Sequence, residues 1–144
     1  MERKGKTMVR KGDQTSGDMR VVNAAKELVS YTLDRTNDRN IFPKSQRGMS
    51  AQSVWDSAFG VLSNIIQANR FDDNDPAEVK ERLRLEQLAL GHLETLAKMI
   101  DILHMKKWIS DDRQEYWAGL CDAVDGPLKG WIKSTKRKCN KINQ

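Results

Sequence analysis

Residues 75–107 read DPAEVKERLRLEQLALGHLETLAKMIDILHMKK, and this stretch decides the fold. Asp75 can accept from the first free amides of a helix. Pro76 suits the first helical position, where its missing amide costs nothing, and Glu78 sets a carboxylate at the positive end of the helix dipole. From there Val79, Leu83, Leu90, Leu93, Leu96, Ala97, Ile100 and Leu103 recur at helical spacing to about Lys107. About 32 residues at 1.5 Å each extend about 48 Å, long for a globular helix, and Gly91 is the place for a slight bend.

Outward from this helix the chain repeats the pattern. Before it, Phe71-Asp72-Asp73-Asn74 stops an earlier helix whose face is Val54, Ala58, Val61, Leu62 and Ile65, broadened by Trp55, Phe59 and Ile66. Ser50 or Ser53 is its expected cap. Asn37, Asn40, Pro43 and Gly48 mark a loop of about 13 residues. Ahead of that loop, Val21, Ala25, Leu28 and Thr32, with Val22, Val29 and Leu33, define a first helix over about 19–37. After the long helix, Ser110 caps a fourth with Asp111 and Asp112 in its first turn. Its expected buried face is Tyr116, Leu120, Ala123, Val124, Leu128, Trp131 and Ile132, with a kink at Gly126-Pro127. Past Ile132 the apolar period is lost until Ile142.

Four helices with no strand alternation predict an all-α chain, an antiparallel four-helix bundle over 19–135. A flexible basic N-terminal arm, 1–18, and a basic C-terminal tail, 136–144, flank it. The chain has 144 residues, 38% of them hydrophobic and 31% charged, and no apolar run reaches the roughly 18 residues of a membrane span. No secretory leader pattern follows the basic start, and Cys121 and Cys139 form no C-x-x-C pair. The expectation is a cytoplasmic protein with free thiols and no membrane contact.

The net charge of +5 is unevenly spread. Residues 1–20 hold six basic and three acidic side chains, and residues 129–144 hold six basic and none acidic, which leaves the intervening segment at −4. Clustered cations favour a polyanion through counterion release, with solubilising tails as the alternative. Lys129, Lys133, Lys136, Arg137 and Lys138, with Lys44 and Arg47 from the long loop, are the candidate phosphate-binding residues. Trp55 and Trp131 fall on core stripes and Trp108 closes the turn between the last two helices. Trp117 lies beside Tyr116, where one of the two faces outward; Trp117 either packs inside or, facing outward, serves a subunit contact or base stacking.

Catalytic chemistry finds little footing. Asp101-x-x-His104 is half of a di-metal bundle motif whose other half is missing, Cys121 lies on an apolar stretch, and no glycine-rich phosphate loop is present. No enzyme activity, metal or cofactor is expected.

Leu28-x-x-Tyr31-Thr32-Leu33, Phe42-Pro43-Lys44-x-x-Arg47, Ile66-x-Ala68-Asn69, the long helix after Pro76 and Gly130-Trp131-x-Lys133-Ser134 together resemble a known family over about residues 20–135. It comprises the accessory variability determinant proteins of diversity-generating retroelements and their relatives, the small bundles encoded within intervening sequences of bacterial ribosomal RNA genes. The resemblance implies a homopentameric, basic, non-catalytic subunit that binds nucleic acid and associates with the retroelement's reverse transcriptase. That complex copies a template RNA into mutated cDNA. By position Phe42, Pro43, Lys44 and Arg47 match the family's loop motif, and Trp131 and Lys133 match the end of its last helix. The basic N-terminal arm, Gly126-Pro127 and the moderate net charge depart from the pattern. The alternative readings are an interaction scaffold that docks the polymerase through an apolar and acidic flank, which the −4 middle section would suit, and a ribosomal-RNA-associated bundle with no reverse transcriptase partner.

Overall fold

The computed structural model describes residues 16–43, 45 and 50–142. Four helices, α1 (Ser16–Thr36), α2 (Gln52–Ala68), α3 (Pro76–Met105) and α4 (Asp111–Ile142), pack in a square in which α2 touches α1 and α3 while α4 touches α3 and α1. Contacts between neighbours run in opposite directions, Ser57 to Met99 and Thr135 to Glu86 among them, as an antiparallel four-helix bundle requires. The expectation for the N-terminal arm falls largely on residues 1–15, outside those described.

The signal at Asp75 is realised. Its Oδ1 accepts from the Ala77 and Glu78 amides at 2.9 and 3.1 Å, with Pro76 next in line. Glu78 accepts from the Asp72 amide rather than from Asp75, so the preceding turn is tied to the helix it introduces. Ser110 Oγ likewise accepts from the Arg113 amide. Helix α2 differs from expectation. A π-type turn at residues 50–51 precedes it, Ala51 is its N-cap, and no side chain caps it. Ala51 is already helical, with φ −64° and ψ −41°, so the chain never makes the extended break that turns a capping side chain back onto the amides.

The core joins Val21, Ala25 and Leu28 of α1 to Val61 and Ile65 of α2, Leu96 and Ile100 of α3, and Val124 and Leu128 of α4. Trp117 completes it. It is fully buried, its indole Nε1 donates to Thr32 Oγ1 at 3.0 Å, and Tyr31 meets its ring edge-on. Tyr116, expected inside, is the residue that faces out, at 59% exposure. The outward readings of Trp117 are thereby corrected: an indole N–H that has found a hydroxyl partner belongs to the interior. Ala123 is also exposed, and α4 runs uninterrupted across Pro127. The missing amide there deprives only the Ala123 carbonyl of its in-helix donor, on a surface water reaches.

Two close approaches fix the bundle's geometry. At Gly60 a Cβ would fall 2.7 Å from the His92 ring, so only glycine lets α2 and α3 come this near. At the end of α3, Lys107 takes φ 63°, while Trp108 N–H bonds the Leu103 carbonyl and Lys107 N–H bonds that of His104. This is the Schellman arrangement, with Trp108 folded back toward Leu103, and it places a lysine where glycine is usual.

Gly60→Ala is expected to lower stability by about 1–3 kcal/mol through overpacking, and most of the loss should return in a Gly60→Ala/His92→Ala double variant. Additive losses in urea denaturation would rule out the His92 contact as the cause. Lys107→Gly should raise stability by about 0.5–1 kcal/mol in the same assay.

Candidate nucleic-acid interface

Helix α4 carries the predicted cations farther than the apolar pattern indicates. In place of a basic tail over 136–144, the helix continues to Ile142 with Thr135 and Cys139 buried. These two extend the inward stripe of Leu128, Trp131 and Ile132 at helical spacing, but as small, weakly polar residues they break the apolar signal without leaving the helix face.

What holds this half of α4 down is a polar network absent from the sequence reading. Glu86 of α3 has no solvent exposure, and its Oε2 accepts from Thr135 Oγ1 at 3.0 Å and from Arg82 Nε at 3.1 Å. Arg82 in turn donates to the Phe71 carbonyl at 3.1 Å and lies over the Trp131 ring, 5.1 Å from its centre. Glu86 Oε1 has no hydrogen-bond partner among the described residues. Burial pushes the Glu86 carboxyl above the ordinary carboxylate range, while the Thr135 hydroxyl and the Arg82 guanidinium pull it back and Asp73 adds to the rise. A few residues on, Lys138 Nζ bonds Asp73 Oδ2 in the α2–α3 turn.

With the inner face committed, the cations divide by position. Lys129 pairs with Asp125 at 3.1 Å one turn back, and Lys138 with Asp73. Lys133, Lys136, Arg137 and Lys141 are exposed and make no ion pair among the described residues. Positions 129, 133, 136 and 137 share one helix face, and with Lys141 they span about 18 Å of axis. The other half of the same helix is acidic on its exposed side, with Asp111, Asp112, Glu115 and Asp122. Helix α4 is therefore charge-segregated end to end, in the sense its dipole favours. Lys44 and Arg47 lie outside the described residues. The loop that carries them is anchored by Ile41 and Phe42, both buried, with Phe42 meeting the Trp108 ring edge-on.

The residues considered for chemistry have structural partners. His104 Nε2 lies 2.6 Å from Asp111 Oδ1 and Asp101 accepts from Gln114, so the Asp101-x-x-His104 pair ties α3 to α4. Among the described residues no three His, Cys, Asp or Glu side chains gather to hold a metal. Burial, with Asp122, Asp101 and Asp125 nearby, pushes the Cys121 thiol up to about 12, leaving no thiolate for nucleophilic work. No described helix is long and apolar enough to cross a membrane.

No protein-family model matches the chain, and no curated protein matches it.

The raised Glu86 carboxyl fixes a pH dependence. The folded protein holds its Glu86 proton to higher pH than the unfolded chain does, so this group adds stability as pH falls from above its folded value toward the ordinary carboxylate range, and that contribution is lost on raising the pH again. Measured by urea denaturation, the stability of wild type relative to Glu86→Gln should rise on acidification across that window. A difference that falls instead would mean that the ion pair with Arg82 outweighs burial.

Proposed function

We propose that this bundle is a non-catalytic accessory subunit of a diversity-generating retroelement, which binds the reverse transcriptase together with template RNA or cDNA and so supports mutagenic reverse transcription. The observation that carries the nucleic-acid half of this reading is the face of α4 where Lys133, Lys136, Arg137 and Lys141 stand exposed without an ion-pair partner among the described residues. Such a face holds phosphates, because lysine and arginine at helical spacing can track a backbone, and contacts to phosphate carry no sequence information. The retroelement assignment itself rests on the resemblance at Phe42-Pro43-Lys44-x-x-Arg47 and Gly130-Trp131-x-Lys133-Ser134.

A homo-oligomer, a pentamer by that resemblance, suits a second feature. Trp55, Phe59, Leu62 and Ile66 recur along α2 in steps of four, three and four, the spacing of a helix–helix seam. Phe59 and Ile66 are about half exposed, Trp55 stacks on Phe59 at 5.7 Å, and Leu33 of α1 shares a 250 Å³ cleft with Trp55. Apolar surface of this extent favours a protein neighbour. Several copies would multiply a weak cationic face into a strong one. The scaffold reading, with a polymerase seated on this flank and the cations incidental, draws on the same feature.

The test is a salt titration of binding to a fluorescein-labelled single-stranded RNA, comparing wild type with the triple variant K133E/K136E/R137E. The triple variant should bind at least about tenfold more weakly at 0.1 M salt, with its log–log salt slope shallower by about 2, the value for three lost phosphate contacts on a single strand. Equal affinity and slope would refute the interface. Nuclease-treated pull-down of the reverse transcriptase through the bundle would then distinguish the scaffold.

A further inference from the structure

The end of the bundle opposite the basic terminus of α4 holds a groove that this reading leaves unused. A cavity of about 450 Å³ opens between the first turn of α2 and the last turns of α3, with Val54, Met99, Ile102, Leu103 and Trp108 among its walls. Its floor is rigid, since Leu103 and Trp108 belong to the Schellman turn and Trp108 is braced by Phe42. The rim is unusual in projecting apolar surface outward: Ile102 is 52% exposed, and Met105, three residues on, is 77% exposed. Among the described residues Lys106 is the one charged side chain in the lining, which Ser50 and Ser53 share, and it makes no ion pair with another described residue. Lys107 follows it at the tip.

Charge at this end is divided by helix face. Asp101, His104 and Asp111 are engaged with one another or with Gln114 where α3 meets α4, and Asp112 and Glu115 stand exposed beyond them on the first turns of α4. Ile102 and Lys106, four residues apart, stand on the side toward α2, where no carboxylate among the described residues lines the groove. The groove is thus apolar within and positive at its edge. Apolar surface that continues beyond the cavity onto Met105 calls for an occupant longer than a small molecule, which would bury itself within the walls.

We infer that this groove is a docking site for an acidic segment of a protein partner, which inserts one bulky apolar side chain between Met99, Ile102 and Trp108 and sets carboxylates against Lys106 and Lys107. The apolar anchor supplies affinity, and the lysines select the sign of the flanking charge. The arrangement separates two functions by the length of the bundle, with phosphates at the cationic end of α4 and a protein segment at the α3–α4 end. It is independent of the RNA reading, because no residue of the groove belongs to the α4 face.

The probe is a short acetylated peptide with one central phenylalanine flanked on both sides by glutamates, titrated to millimolar concentration into the isotope-labelled full chain and followed by amide and indole NMR shifts. Shifts are expected at Val54, Ile102, Leu103 and the Trp108 indole. They should weaken at least about fivefold when the phenylalanine is replaced by alanine or the glutamates by lysines, each exchange removing about 1 kcal/mol or more. Lys106→Glu and Ile102→Glu, both at exposed positions, should reduce binding to a similar degree with unchanged circular dichroism. Shifts confined to Lys133, Lys136 and Arg137, no shifts at all, or equal binding by the alanine peptide would overturn the proposal. So would perturbation of the groove by the single-stranded RNA in place of the acidic peptide. Loss of RNA binding in the α4 triple variant with peptide docking intact, or the reverse, tells the failure of one site from that of the other.

Discussion

The position of the cationic surface depends on one buried carboxylate. Glu86 occupies a place on α3 that its neighbours on the stripe, Val79, Leu93 and Leu96, fill with aliphatic side chains, and it reaches α4 through the Thr135 hydroxyl. That bond and the Lys138–Asp73 bridge beyond it are the polar ties, among the described residues, that fix the last turns of a helix whose outer side is a row of like charges. Lys133, Lys136, Arg137 and Lys141 repel one another, and packing against α3 is what keeps them on one rigid face. An aliphatic residue at 86 would pack at lower desolvation cost, but it would not read the register of α4. The ungratified Oε1 and the upward pull on the carboxyl are the cost of that specification.

Charge segregation along α4 follows from the same economy of partners. Asp111, Asp112 and Glu115 stand near the positive end of its dipole, and Lys136, Arg137 and Lys141 near the negative end, so each group stabilises the helix locally. The two ends of the bundle consequently differ in kind. One presents cations in excess of the carboxylates that could neutralise them. The other carries Asp111, Asp112 and Glu115 on the exposed start of α4, ties Asp111 to His104 and Asp101 to Gln114, and on the side toward α2 leaves an apolar groove edged by Lys106.

Several elements were legible because local rules and tertiary packing agreed. Asp75-Pro76-x-Glu78 specifies a helix start by side-chain chemistry alone, and the structure uses each residue close to that role. Trp117 was ambiguous, since periodicity places both it and Tyr116 near the edge of the stripe; only Thr32, 85 residues away in sequence, decides which ring turns inward. Arg82 and Glu86 were passed over because charged residues count against a buried face. Yet they sit at 82 and 86 in the series 79, 82, 86, 89, 93, 96, 100, 103, a steady alternation of threes and fours in which a charged pair is the signature of a buried tie. Thr135 and Cys139 hid the end of α4 in the same way. In the candidate site, the identity of the cations could be read directly, but which of them remain unpaired could not, because Asp73 reaches Lys138 across the fold from another helix junction.

Assembly and display are geometrically compatible on the proposed reading. In the square of helices the edge formed by α1 and α2 lies opposite the edge formed by α3 and α4. A neighbour seated on Leu33, Trp55, Phe59 and Ile66 would therefore cover none of the outward residues of α4. The apolar groove beside Trp108 lies at the end of the bundle, clear of the outward face of α4. Three surfaces of different chemistry, apolar along one flank, cationic along one helix and apolar with a positive rim at one end, thus avoid overlapping. A catalytic protein concentrates its unusual residues in one cleft. Here they are spread over separate faces, so that on the proposed reading each face could engage a different macromolecule without excluding the others.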